Sequence, residues 1–373
     1  MDFNLSNERQ MLKDTAERFI RERYPLATRH EAVGRDIGFS RQMWAEFAEL
    51  GLIGALLPPE AGGLGGTGED IALVFEALGR GLVVEPFLAT GVLGIWPLIE
   101  AGDTETPAQV IEGRRLLAFA HGESGGRYGP SHVRTRAVQG GDGWQVTGAK
   151  AVVLNGCAAD RLIVSARVSG EVADEAGLAL FGIDPHAEGV ALRSYSTIDE
   201  GTAAEIALGD VAATPIGTPG EAYPVIERTL GRGVLALSAE ALGAMEVARD
   251  LTLDYLRTRV QFGQPIGANQ ALQHRMVDLM LEIEQLRSAV MLAASSLGAA
   301  RPARERALSA AKHLAGRVGR LVAEEAIQMH GGIGMTWEAA VAHYAKRIVM
   351  IDHLLGDTDH HLERFIRFSE DAA

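Results

Sequence analysis

The sequence predicts an α+β chain in three consecutive units: a helical unit over residues 1–113, a unit of antiparallel β-strands over 114–222, and a second helical unit over 223–373. Three observations predict it. Apolar residues recur at helical spacing in the first third, the middle third breaks into short apolar runs bounded by glycine, and from about Ala222 the helical period returns and holds almost to the end.

In the first unit, Ser40 reads as the N-cap of a helix that carries Met43, Trp44, Phe47, Ala48 and Leu50 at helical spacing and stops at Gly51. The most apolar stretch, Gly81 to Ile99, is interrupted by Glu85, Pro86 and Pro97, so it reads as a core segment rather than a membrane span. The middle unit supplies the runs LLAFAH, VRTRAV, WQVTG, AVVL, RLIVSARV, LALFGI, VALRS and AEIAL. The last unit holds long amphipathic stretches from Val225 to Arg257, Gln270 to Ser296 and Arg304 to His330. Helices of that length bury their stripes on one another and often on a partner chain, so an oligomer is expected.

Composition narrows the function classes. With 373 residues and 47% hydrophobic content the chain can bury a large core, and no internal repeat or low-complexity stretch interrupts it. A net charge of -14 argues against a nucleic-acid surface, which needs clustered Lys and Arg. The single cysteine, Cys157, reads as a small buried hydrophobe; it excludes a disulfide framework and points to the reducing cytoplasm. The opening MDFNLSNERQ lacks a basic stretch followed by an apolar one, so no signal peptide is expected.

Two segments carry candidate chemistry. In YLRTRVQFGQPIGANQALQH (255–274) a helix breaks and restarts; Arg259 can pair with phosphate oxygens, Phe262 offers a flat face to an adenine ring, Gly263 permits a sharp turn, and Gln270 can hydrogen-bond a dinucleotide. A helix–loop–helix corner with a surface arginine and a core phenylalanine explains the same residues. In AIQMHGGIGMTWE (326–338) Gln328 precedes Gly331, Gly332 and Gly334, which let a ligand approach the backbone, although glycine is also the ordinary helix stop.

Taken in order, LSNERQML, GLIGALLPPEAGGLGGTGEDIALVFEALGRG, AFAHGES, TGAKAVVLNGCAADRLIVSARV, AAEIALGDV, RTRVQFGQPI and QMHGGIG resemble the acyl-CoA dehydrogenase family over nearly the whole chain. The resemblance implies that family's fold: an N-terminal helical domain (1–113), a middle antiparallel β-barrel domain (114–222) and a C-terminal four-helix-bundle domain (223–373), packed as a dimer of dimers. It further implies FAD across a subunit interface, with Arg259, Phe262, Gln270, Gln328, Gly331 and Gly332 facing the ADP portion of a neighbour's FAD. The implied activity is α,β-dehydrogenation of an acyl-CoA thioester, with electrons leaving through an electron-transferring flavoprotein. No nucleic acid and no membrane belong to it.

The family pattern also breaks. The usual base positions correspond to Leu355 and Gly233, neither of which can take a proton. The nearest carboxylate is Glu240, in AEALGAME, expected to be buried among Ala236, Leu237, Ala239, Ala241 and Leu242. It is read either as the base, in an environment that suits one, or as a buried acid bonded to a neighbouring Arg or His. Asp352, His353, Asp357, Asp359, His360 and His361 resemble metal ligands in type, but the alternation fits a solvated helix end. The flavin-facing Trp-Ile-Thr becomes Val152-Val153-Leu154, and Thr-Glu-Pro becomes Gly122-Glu123-Ser124. AEALGAME and GDTDHH are similar to the smaller subunits of heteromeric dehydrogenases acting on pimeloyl-CoA or steroid side-chain CoA esters. The expectation is therefore a subunit of an α2β2 enzyme for a bulky or unusual acyl-CoA, paired with a homologous subunit. A non-catalytic companion completing a partner's FAD site, a homotetramer using Glu240, and an oxidase on the same fold stay open.

Overall fold

The computed structural model describes residues 5–141 and 143–370. Met1–Asn4, part of the opening segment in which no leader is expected, lie outside the described residues. The chain begins with α1 (Asn7–Arg23), α2 (Leu26–Val33), α3 (Arg41–Glu49), α4 (Gly68–Gly81), a π-helical stretch Phe87–Gly94, α5 (Trp96–Glu100) and α6 (Glu105–Ile111). Seven strands follow: β1 (Leu117–Ala120), β2 (Arg136–Gly140), β3 (Gly143–Leu154), β4 (Arg161–Arg167), β5 (Leu178–Ile183), β6 (Val190–Ser196) and β7 (Thr202–Gly220). The helices α7 (Tyr223–Thr258), α8 (Gln270–Ser296), α9 (Arg301–His330), α10 (Ala340–Asp352) and α11 (Thr358–Glu370) complete it. The expected order of helices, sheet and helices is the observed one.

These elements pack as two compact units: residues 1–30, 67–83 and 234–373 in one, residues 31–66 and 84–233 in the other. In the first, α4 is started by a capping box, with Thr67 Oγ1 accepting from Asp70 N and Asp70 Oδ2 accepting from Thr67 N. Asp70 also receives Arg9 Nε from α1 at 2.8 Å. Glycine lets the helices meet at the backbone. A Cβ on Gly79 would lie 2.0 Å from the Glu240 carbonyl oxygen, and one on Gly243 2.0 Å from that of Glu76, so α4 and α7 cross where neither tolerates a side chain. Behind them α9 packs against α8, α10 and α11. Residues 223–370 thus hold α7 through α11, one helix more than the four-helix bundle expected.

In the second unit, Ser40 caps α3 as expected, its Oγ accepting from Met43 N at 3.2 Å. The apolar stretch after Pro86 is core, with Phe87 through Ile95 buried. The sheet runs β1-β4-β2-β3-β7-β5, with β6 on β7 and a further β4–β5 pairing. It corrects the antiparallel expectation: β1 lies parallel to β4, and β2 meets β4 in parallel through the single pair Arg136–Arg167. The strands form a seven-stranded mixed sheet in which the β2–β4 contact is a single pair and the β4–β5 ladder joins β5 back to β4. WQVTG and AVVL merge into β3, whose register shifts on either side of Gly148. There a Cβ would lie 2.5 Å from Thr135 Oγ1. One face is closed by Val146, Leu162, Val164, Phe181 and Val211, all without exposure. Burying a side chain the size of Phe181 is worth about 2–3 kcal/mol. Cys157, expected inside, is exposed on the short turn Gly156–Ala158.

Candidate functional site

The helical unit gathers both segments singled out in the sequence at one end. After α7 stops, Val260–Gln261 and Gln264–Pro265 pair as a minimal hairpin with Phe262 and Gly263 at its tip, at φ 54° and 82°. That turn normally takes Asn-Gly, because both central residues sit in the left-handed region. A phenylalanine there is a local cost of order 1 kcal/mol. Its ring gains nothing from the chain in return, being 103% exposed. Phe262 is therefore not the core residue of the structural alternative. Arg259 N donates to Tyr255 O at 2.8 Å and Arg259 O accepts from Ile266 N at 2.9 Å, so the backbone is fixed. Its guanidinium is exposed and has no protein partner among the described residues. Gln270, first residue of α8, is also exposed.

The second segment ends α9. Gln328 faces solvent on the last turn, and Gly331 closes the helix at φ 69°, its N–H returning to Gln328 O and Ile327 O. The three glycines differ in what requires them. Gly331 is required by its backbone angle, and Gly334 by packing, since a Cβ would lie 2.9 Å from the His330 Cβ. Gly332 has neither reason: its φ is ordinary, and nothing stands within 4 Å of where a Cβ would be. The bare backbone there is open to something outside the chain. The ring of Tyr255 on α7 stacks on that of His330 on α9, with centroids 4.5 Å apart, and the Arg275–Glu325 pair ties α8 to α9.

Glu240, the candidate base, is 4% exposed, as expected, but not free. Arg347 on α10 grips both its oxygens, Nε to Oε1 at 2.6 Å and Nη2 to Oε2 at 2.8 Å. The turn between α10 and α11 places Leu355, at φ 56°, beside the buried Leu354. Lys312 Nζ reaches in from α9 to the carbonyls of Asp352 and Gly356, at 3.1 and 2.6 Å. Burial pushes that lysine down to about 8, against the pull of Asp352 and Asp357. Asp352 caps Thr358, Asp357 receives His360 N, and His361 Nε2 donates to Leu355 O. Burial holds His361 well below its usual range and His360 down to about 4, with Arg364 adding to the latter. The expected solvated helix end holds only for His353 and Asp359, which are exposed; Asp352, Asp357, His360 and His361 belong to a packed corner.

In the sheet unit the surviving glutamate explains itself. Glu123 accepts from buried Lys150 at 2.6 Å, from Thr135 Oγ1 at 2.7 Å and from Arg134 N at 2.7 Å. Burial opposes its ionisation, but Lys150 and these donors hold it below the usual carboxylate range. Lys150 also donates to Ser165 Oγ, which bonds His121 Nδ1 at 2.9 Å. Burial, aided by Lys150, pushes His121 down to about 3, so the ring stays neutral. Sequence reasoning missed Lys150, Lys312 and Arg347, whose partners lie far along the chain. Val152 is half exposed, and Leu154 occupies the position where a threonine was sought.

Comparison with known proteins gives this geometry its frame. Residues 6–113 match the N-terminal domain of acyl-CoA dehydrogenases and residues 222–368 the C-terminal domain. The probable acyl-CoA dehydrogenase YngJ of Bacillus subtilis (strain 168) is 30% identical, with 98% of each chain aligned. The chain belongs to the acyl-CoA dehydrogenase family. Acyl-CoA dehydrogenases are FAD-dependent oxidoreductases, and FAD is the cofactor this membership brings. A variant of the Tcur3481-Tcur3483 steroid acyl-CoA dehydrogenase superposes with a TM-score of 0.87 at 28% identity, over 98% of each chain. The ChsE4-ChsE5 complex of Mycobacterium tuberculosis matches at 0.89 and 25%, over 100% of this chain and 99% of that one. Among the described residues, no helix of this acyl-CoA dehydrogenase is long and apolar enough to cross a membrane.

Proposed function

We propose that this chain is one of two unlike subunits of an α2β2 acyl-CoA dehydrogenase that introduces an α,β double bond into a bulky or unusual acyl-CoA. Its surface at Arg259, Phe262, Gln270, Gln328, Gly331 and Gly332 receives the ADP portion of FAD. The carrying observation is Gly332, whose missing side chain serves no contact within the chain, taken together with the strained backbone and exposed ring of Phe262. These residues fit the group: Arg259 offers a fork of donors to phosphate oxygens, Phe262 a face to the adenine, Gln270 and Gln328 hydrogen bonds, and the two glycines a close approach. When bound, FAD supplies the acceptor for the substrate's β-hydride.

The base is assigned to the partner subunit. Neither Leu355 nor Gly233 can take the α-proton, and Glu240 already gives both oxygens to Arg347. Likeness to a solved steroid acyl-CoA dehydrogenase and to the ChsE4-ChsE5 complex supports both the bulky substrate and the unlike partner. An electron-transferring flavoprotein is the onward acceptor. The domain boundaries proposed are 1–113, 114–222 and 223–373, in keeping with the two family matches.

Expressing the chain alone and together with a second acyl-CoA dehydrogenase-like chain tests the reading. Colourless protein alone and yellow protein with the partner is the expected result. Yellow protein from this chain alone, bleached by an acyl-CoA, would overturn the heteromeric assignment in favour of a homotetramer.

A further inference from the structure

The two halves of the proposed FAD surface come from helices far apart in sequence; the Arg275–Glu325 pair joins α8 to α9, and a ring contact joins α7 to α9. Tyr255 lies one helical turn before Arg259 and its carbonyl accepts Arg259 N; His330 directly precedes Gly331. Their rings stack with centroids 4.5 Å apart and planes inclined by 23°. The His330 ring is fixed in turn by its own helix, Nδ1–H donating to Ala326 O at 2.8 Å. Beside the stack is a cavity of about 290 Å³ lined by Leu251, Ile333, Ala340 and Val341. Tyr255 and His330 line this pocket themselves, so the stack is the contact between α7 and α9 at its edge.

We infer that Tyr255 and His330 are positioning residues that set the distance between Arg259 and the Gly331–Gly332 backbone, and so the affinity for the ADP half of FAD. The inference rests on the reading that these segments face FAD. Neither ring need touch the cofactor. A group held in register by a neighbour loses affinity when that neighbour is cut away, because the ordering then has to be supplied on binding.

The test uses the flavin-loaded assembly this chain forms, stripped of FAD and titrated with FAD while flavin fluorescence is followed. Tyr255→Ala should weaken the dissociation constant about tenfold or more, and Tyr255→Phe, which keeps the ring, should restore it. His330→Ala should match Tyr255→Ala, and the double variant should be no weaker than either single one, since both remove the same contact. Thermal unfolding of each apo assembly identifies a variant that merely fails to fold, in which case His330→Ala and the phenylalanine rescue carry the test. A dissociation constant in Tyr255→Ala within about twofold of the parent, or additive losses in the double variant, would overturn the inference. Arg259→Ala separates the layers: if it weakens FAD and Tyr255→Ala does not, only the positioning role fails. If Arg259→Ala leaves FAD binding unchanged, or no assembly containing this chain binds flavin, the FAD reading fails and the inference with it.

Discussion

Replacing Glu240 separates a structural carboxylate from a catalytic one. In Glu240→Ala the Arg347 guanidinium, at 19% side-chain exposure, loses its two-point partner in a site from which the glutamate itself was almost wholly excluded from water. Breaking a buried ion pair from one side costs about 3–5 kcal/mol, and the arginine's residual contact with solvent puts this case near the lower end, about 3 kcal/mol. For a unit of this size that corresponds to a fall in melting temperature of roughly 6–12 °C. Glu240→Gln, which keeps hydrogen-bonding oxygen but no charge, should fall between. Arg347→Ala should destabilise in the same direction, and the double variant should lose less than the sum of the two singles. The assay is thermal unfolding of the purified chain, alongside turnover of the assembled enzyme well below the transition. If Glu240→Gln keeps its melting temperature but loses turnover and the ability to exchange the substrate α-proton, the ion-pair argument is wrong and Glu240 is the base.

Two further outcomes follow from the geometry. His121 is held down to about 3 in the folded chain against a usual 6.5, so the unfolded chain takes up its proton first as pH falls. Its stability contribution is complete above about pH 6.5 and is lost as pH drops toward 3, a cost of about 2 kcal/mol at pH 5. Urea midpoints at pH 7 and 5 should separate more for the parent than for His121→Gln, and equal separations would refute the argument. Gly79→Ala and Gly332→Ala should behave oppositely. The first drives a Cβ into the Glu240 carbonyl and should destabilise by about 3 kcal/mol or more. The second should leave thermal unfolding unchanged or slightly improved, by about 0.4–1 kcal/mol, while weakening FAD binding in the assembled enzyme. Unchanged FAD affinity in Gly332→Ala would remove the observation on which the proposed function most depends.

Helix positions were legible because period and punctuation are local: α8 begins and ends where its apolar spacing does, and Ser40 caps α3 through a bond spanning three residues. Strand partners were not. Alternation marks a strand but not its neighbour, so nothing in LLAFAH or RLIVSARV tells that β1 and β4 run parallel. The twelve residues after AEIAL hold three glycines and two prolines, which do not favour a strand. Instead β7 continues through them and changes partners, leaving β3 after Ala213 and pairing Thr214, Pro215 and Ile216 with β5. The Glu240–Arg347 pair spans 107 positions, and Lys312 meets Gly356 across 44, separations at which sequence gives types of residue but no contacts.

Exposure decides what residue type alone left open. Arg259 and Phe262 fit a helix corner equally well until the ring is seen to be wholly outside and its backbone left-handed. A strained exposed aromatic, an unpartnered guanidinium and a glycine with empty space above it each cost the isolated chain stability, or at best gain it nothing. Elsewhere the same unit places glycine under strict need: Gly68, Gly79 and Gly243 each stand where a Cβ would come within 2.1 Å of a neighbouring carbonyl oxygen. Gly332, like the exposed Gly298, meets no such need within the chain, and it lies next to Gly331 in the segment read as facing FAD. What the surface lacks is supplied, on the proposed reading, by a dinucleotide and the subunit that carries it. The absence of a carboxylate at Leu355 and the occupied one at Glu240 then fall into place as features of a half-site. The same division predicts that flavin, base and partner arrive together.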